Sequence, residues 1–174
     1  MRRAPARGRR GLEDGDCEKL KTTQNFRRVE QNGCLLDRVA FHGHPMISAL
    51  HPRTIEVTTE EHLTERGDCI IGVGADKGCA GLSSETKRAL RVRGAKLKFR
   101  IFVEGENFEV SASGDPALTL THQRDIVLRR SSFVSGRTVA VRANCAAADL
   151  PRRLVKMLTL ADARGMLEIL VIPT

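Results

Sequence analysis

The segments GHPMISALHPRTIEV, residues 43–57, and GDPALTLTHQRDIVL, residues 114–128, decide the fold, because they are two versions of one pattern. At a constant offset of 71, Gly43 falls on Gly114, Pro45 on Pro116, His51 on His122, Arg53 on Arg124 and Ile55 on Ile126. A second block follows in the same order. VGADKGCAGL, residues 73–82, lies over VRANCAAADL, residues 141–150, at an offset of 68, so the second copy has a loop three residues shorter. Two matching blocks in one order indicate an internal duplication.

Each copy reads alike. A Gly-x-Pro turn opens an alternating strand, the His-x-Arg element bends the chain, and a second strand follows over 54–59 or 125–130. A third strand, 69–74 or 138–143, leads to a short helix, about 83–91 or 150–160, with Ser84 placed to cap the first, Gly94 to stop it, and Pro151 in the first turn of the second. Residues 96–103 alternate Leu97, Phe99, Ile101 and Val103 against Lys98, Arg100 and Phe102, then turn at 104–107 into the strand 108–112, and a last strand covers 167–172. The expected class is α+β, mainly β: two diverged copies of a strand-strand-strand-helix-strand module forming an antiparallel barrel or sandwich with two flanking helices.

With 174 residues, 41% hydrophobic and 29% charged, the chain suits one folded domain and not two independent ones. That domain is expected over 39–174, with repeats at about 39–112 and 113–174. Residues 1–38 hold ten Lys/Arg and six Asp/Glu, five of the arginines in MRRAPARGRRG, and read as a disordered basic tail, either a solvated one the fold does not need or a nucleic-acid arm. No apolar run approaches the roughly 18 residues of a membrane span. Five scattered cysteines without a CxxC pair, and no signal-like stretch near Met1, point to a reducing cytoplasm and away from a disulfide framework or zinc knuckle.

The runs GHPMISALHPRTIEVT, LTERGDCIIGVGADK, IVLRRSSFVSGRTVAVRA and AAADLPRRLVKML make the chain resemble an archaeal family of uncharacterised proteins with a domain of unknown function, from about residue 39 to the C-terminus. The resemblance implies a small, mainly β domain and an archaeal cytoplasmic setting, and brings no activity or cofactor with it.

The chemistry is sought where the copies differ. Arg129, Arg130 and Ser131, with Arg137, replace Thr58, Thr59 and Glu60 of the first copy, and guanidinium groups beside hydroxyls suit phosphate or carboxylate. Asp76 and Lys77 stand where the second copy has Asn144 and Cys145. They are read either as an Asx cap or as an anion anchor or nucleophile.

Gly72-Val73-Gly74-Ala75-Asp76-Lys77-Gly78 imitates a phosphate loop without the GK[ST] ending or GxGxxG spacing, and packing explains its small residues better. His42 and His44 share a face if extended, and with Glu56 or Cys69 they are candidates for a metal shell. His51 and His122 more simply bond the backbone at equivalent bends.

The leading expectation is a domain that binds an anionic ligand or RNA backbone where the repeats meet, through Arg129, Arg130, Ser131 and Arg137, with Asp76, Lys77 and His51 nearby. The alternatives are a small, metal-assisted enzyme using His44, His51 and Glu56, and an assembly module whose tail docks on an acidic partner. With no Trp or Tyr and six Phe, a base-stacking platform is disfavoured.

Overall fold

A computed structural model describes residues 33–173, and the tail expected over 1–38 lies outside the described residues as far as residue 32. Eight strands form two four-stranded sheets. In chain order they are β1 (Cys34–His42), β2 (Thr54–Thr58), β3 (Ile70–Gly72), β4 (Lys96–Val103), β5 (Glu106–Ser113), β6 (Asp125–Arg129), β7 (Thr138–Ala140) and β8 (Arg164–Val171). Helix α1 (Ser84–Leu90) lies between β3 and β4, and α2 (Arg152–Leu158) lies between β7 and β8. Each is preceded by one 3-10 turn, at Cys79–Gly81 and Ala147–Asp149. The result is the α+β, mainly β class, with two open sheets in place of a closed barrel. No helix among the described residues is long and apolar enough to cross a membrane.

The first sheet runs β1-β8-β4-β5 and is antiparallel throughout, while the second runs β3-β2-β6-β7 with an antiparallel centre and parallel outer pairs. The parallel pairs correct the antiparallel expectation. Residues 59–69 and 130–137 carry the chain across and return it in the same direction, which a two-residue hairpin cannot do.

Both strand orders are symmetric about their centres. In the second sheet the central rung pairs Glu56 with Val127, equivalent positions of the two copies; in the first it pairs Arg100 with Glu168, also equivalent. One pseudo-twofold axis therefore passes through both sheets. Because β1 pairs with β8 and β5 with β4, each copy lends its first strand to the other's last, and the halves share one core. The copies meet at the turn of Glu104 and Gly105, so β5 belongs with the second copy.

Small departures from the sequence reading have physical causes. β1 begins at Cys34, so residues 34–38, counted with the tail, form part of a strand. Residues 46–50 and 117–121 alternate in burial as strands do, with Ile47, Ala49, Leu118 and Leu120 buried, yet they form no ladder. Ala49 and Leu120 adopt left-handed φ values of 48° and 54°, which break any strand, and the alternation comes from loop side chains plugging the core. Ser83, and not Ser84, caps α1, its Oγ accepting the Thr86 N–H at 3.1 Å.

The core conserves volume between the copies by exchange. Phe41 of β1 stands opposite Gly165, and its ring fills the space that side chains at Gly165 and Gly72 would occupy. In the second copy the equivalent rung is Ala112 opposite Leu97, with Ala140 in place of Gly72. Large-against-small has become small-against-large, as close packing requires.

Candidate functional site

Alternation along β2 and β6 sends Ile55, Val57, Ile126 and Leu128 toward the first sheet and Thr54, Glu56, Thr58, Asp125 and Arg129 to the opposite, outer face. Two equivalent ladder bonds bring further groups to that face. The Glu56 N–H donates to the Cys69 carbonyl at 2.8 Å and the Val127 N–H to the Arg137 carbonyl at 2.8 Å, so Cys69 and Arg137 flank the axis from opposite sides.

Here the copies differ at every polar position. Thr54 answers Asp125, Glu56 answers Val127, Thr58 answers Arg129, Cys69 answers Arg137 and Ile70 answers Thr138.

The side chains interlock. Arg137 reaches Asp125 Oδ2 at 3.3 Å and Glu56 Oε1 at 3.6 Å through one nitrogen, Nη1. Thr58 donates to Asp125 Oδ1 at 2.7 Å, and the Cys69 thiol donates to Glu56 Oε2 at 3.4 Å. Arg129 makes no ion pair among the described residues. Its Nε donates to Thr138 Oγ1 at 2.8 Å and its Nη2 to Ser135 Oγ at 3.3 Å, while the guanidinium lies 5.0 Å from the centroid of the Phe133 ring. Thr138 is fully buried and also accepts the Ser135 N–H at 3.0 Å, so the 130–137 loop is fastened around Arg129, and Phe133 stays 61% exposed.

Electrostatics follow from burial. Glu56 is only 6% exposed, and desolvation, with the neighbouring Asp125 charge, raises its pKa above the ordinary carboxyl value against the pull of Arg137, Cys69 and Arg129. Burial, helped by Glu56, pushes the Cys69 thiol up to about 12, so at neutral pH it is a hydrogen-bond donor and not a nucleophile. The pKa of Arg129 is lowered by burial and by the like charge of Arg137.

The other sequence candidates go elsewhere. Arg130 leaves this face to bind Asp149 Oδ2 at 2.8 Å and the carbonyls of Asn144 and Pro52. Ser131 Oγ accepts the Phe133 N–H in a local turn. Asp76 Oδ1 accepts the Ala40 N–H at 3.2 Å, as Asn144 Oδ1 accepts the Ser111 N–H at 2.9 Å, so both lengthen a strand pairing. Lys77 binds Asp37 at 3.1 Å, and burial of Asp37 is outweighed by the Ser83 N–H and Lys77, which hold its carboxyl below the ordinary value.

The imidazole of His51 accepts the Arg53 and Thr54 N–H groups on Nδ1, and His122 does the same for Arg124 and Asp125. His44 Nδ1 accepts the Met46 N–H, and no group of three His, Cys, Asp or Glu among the described residues is placed to hold a metal. In the glycine-rich segment, Gly72 makes room for Phe41, Gly74 supplies a φ of 57°, and Gly78 lies against the backbone at Gln123.

Of the expected contacts, then, Arg129 and Arg137 come together, with His51 joined to the edge through the Thr54 hydroxyl at 2.9 Å. Glu56, reserved for the enzyme alternative, sits between them and Asp125. Asp125, Ser135, Thr138 and Phe133 are not singled out by the sequence reading, although the three-residue difference between loops marks the segment of the last three as altered.

Residues 39–172 match the model of a domain of unknown function, DUF371. The chain belongs to the DUF371 family. An uncharacterised protein of Methanocaldococcus jannaschii is 40% identical over 116 residues, which is 67% of this chain and 85% of that relative. All the residues of the axial cluster lie inside the DUF371 match, so the cluster is part of the domain itself.

Proposed function

We propose that this DUF371 domain binds a small organic oxyanion, a phosphate or carboxylate, on the outer face of the second sheet where the copies meet, with Arg129 and Arg137 as its ligands. One observation carries this reading: two guanidinium groups converge at the axis, and Arg129 is held by hydroxyls with no carboxylate of its own among the described residues. A guanidinium fixed in this way is oriented before the ligand arrives, which lowers the ordering cost of binding. The exposed Phe133 ring beside it offers a flat apolar contact for the rest of the ligand. Glu56 and Asp125 on the same face, and Glu60 paired with Arg124 at its rim at 2.6 Å, oppose a long polyanion, so a small ligand fits better than an RNA backbone.

Thermal unfolding with added phosphate or sulfate, against chloride at equal ionic strength, tests the proposal. Stabilisation of about 2.7 kcal/mol is expected once the anion reaches 100 times its Kd. Arg129→Gln should abolish that gain, measured against the variant's own anion-free baseline, which the lost hydrogen bonds to Thr138 and Ser135 should lower by about 1–3 kcal/mol. Equal stabilisation by chloride, or full retention of the effect in Arg129→Gln, would remove the site.

A further inference from the structure

Resting on that reading, we infer that Glu56 is the proton-exchanging group of the anion site: it takes one proton from solvent as the oxyanion binds, and thereby frees Arg137 from one of its two carboxylates so that it can turn to the ligand. The geometry sets this up. Arg137 holds its two carboxylates through a single nitrogen at 3.3 Å and 3.6 Å, longer than the roughly 2.7–2.9 Å of a strong charged hydrogen bond. The Arg137 side chain is 43% exposed, whereas that of Glu56 is 8% exposed and fixed in a strand. The arginine can turn outward; the carboxylate cannot follow.

An anion arriving between Arg129 and Arg137 places a second negative charge beside a buried carboxylate that already faces Asp125. Two such charges in a desolvated site cannot both remain ionised cheaply. Protonation resolves the conflict with the atoms already present. One proton from water joins one Glu56 oxygen, the Glu56–Arg137 attraction ends, and the new carboxyl O–H becomes a donor to the bound oxyanion. Glu56 is the more deeply buried of the two carboxylates, and Asp125 keeps the bond donated by the Thr58 hydroxyl.

The groups facing Glu56 from every side are few. Arg137 and Cys69 come from the residues entering β7 and β3, and Asp125 and Arg129 from β6. Cys69 stays a thiol throughout, so it can donate to Glu56 but cannot absorb the proton in its place. The histidines touch Glu56 only indirectly, His51 through Thr54 and His122 through Asp125.

The test uses the full chain and sulfate, which remains fully ionised near neutral pH, so any proton taken up goes to the protein. Calorimetric titrations in two buffers of different ionisation heat should show uptake of up to one proton per sulfate. Sulfate affinity should rise by as much as about tenfold per unit fall in pH, the slope of one coupled proton. Glu56→Gln, which cannot gain a proton, should still bind sulfate with a flattened pH profile, and Arg129→Gln should lose binding at every pH.

Sulfate binding without proton uptake overturns this inference and leaves the anion site standing; no binding at all overturns both. Uptake that persists in Glu56→Gln assigns the proton to another group and likewise overturns it. Should Glu56→Gln not fold, the carboxyl carbon resonance of Glu56, titrated in the wild-type chain with and without sulfate, decides: its midpoint must move up by about one pH unit for a tenfold coupling.

Discussion

The outer faces of the two sheets lie on the same pseudo-twofold axis, and they have diverged in different ways. On the first sheet, Arg38 answers Glu109 and Arg100 answers Glu168 between the copies. Arg38 binds Glu168 at 3.0 Å and Arg100 binds Glu109 at 2.8 Å, so both members of each equivalent pair changed sign and both ion pairs survived. On the inner side of the same sheet, against α1, the Lys77–Asp37 ion pair likewise answers Cys145 and Phe108, two partly buried hydrophobic residues. On the second sheet compensation is only partial: Asp125 and Arg137, which answer Thr54 and Cys69, pair with each other at 3.3 Å, but the remaining changes are not matched. Glu56 faces Val127 across the axis, and Arg129, which answers Thr58, makes no ion pair among the described residues and is held by the hydroxyls of Thr138 and Ser135. Divergence with compensation preserves a fold. Divergence with only partial compensation, on a face to which both copies contribute, is what a binding site in one half would leave behind.

The most severe test of compensation is in the core. Phe41→Ala should cost about 3–5 kcal/mol, because it empties the space that Gly72 and Gly165 leave open. Gly165→Leu alone should also destabilise, by about 1–3 kcal/mol, through overpacking against the Phe41 ring. Combined, the two substitutions copy the Ala112–Leu97 rung of the other half, and urea unfolding of the double-mutant cycle should reveal a favourable coupling of about 1–3 kcal/mol. Simple additivity of the two losses would mean that the copies are not exchanging volume at this rung.

Much of this architecture is written in local pattern. The two offsets, the β-branched runs of β2 and β6 and the alternation of β4 are consequences of period-two burial, and they identify the duplicated module, the mainly β class and both helices. His51 and His122 were legible as bends because both copies keep them. The 46–50 and 117–121 segments were not, since buried loop side chains produce the same alternation as a strand and only the left-handed Ala49 and Leu120 tell them apart.

The candidate site was half legible. Asymmetry between copies drew attention to Arg129 and Arg137, but neighbours in sequence need not share a face, and Arg130 and Ser131 turn away beyond the end of β6. The meeting of Glu56 with Asp125 depends on the β2–β6 register, which pairs Thr58 with Asp125, and a long-range register is not encoded in either strand alone.

A milder test concerns Asp76. If it only lengthens the pairing with β1, as Asn144 does with β5, then Asp76→Asn should leave stability within about 0.5 kcal/mol, and Asp76→Ala should cost about 1 kcal/mol for the lost acceptor. Denaturant midpoints measure both. A large loss in Asp76→Asn would show that its charge matters and would reopen a role for Asp76 beyond the fold.

The smallest effect concerns the backbone that both copies keep even where their residues differ. Gly74 and Arg142 are equivalent and adopt left-handed φ values of 57° and 53°, a conformation glycine takes without strain and arginine does not. Arg142 is itself exposed and its guanidinium comes no closer than 3.9 Å to the Asp115 carboxylate, a pairing that contributes little in water. Arg142→Gly should therefore stabilise the domain by about 0.5 kcal/mol, the relief of strain exceeding the entropy glycine adds to the unfolded chain. Thermal unfolding should show a small rise in Tm with anion stabilisation unchanged, because Arg142 is a guanidinium of the second copy that lies outside the axial cluster. If Arg142→Gly instead weakened phosphate binding as Arg129→Gln does, the site would extend beyond the partly compensated face, and the contrast between the two sheets would no longer mark its boundary.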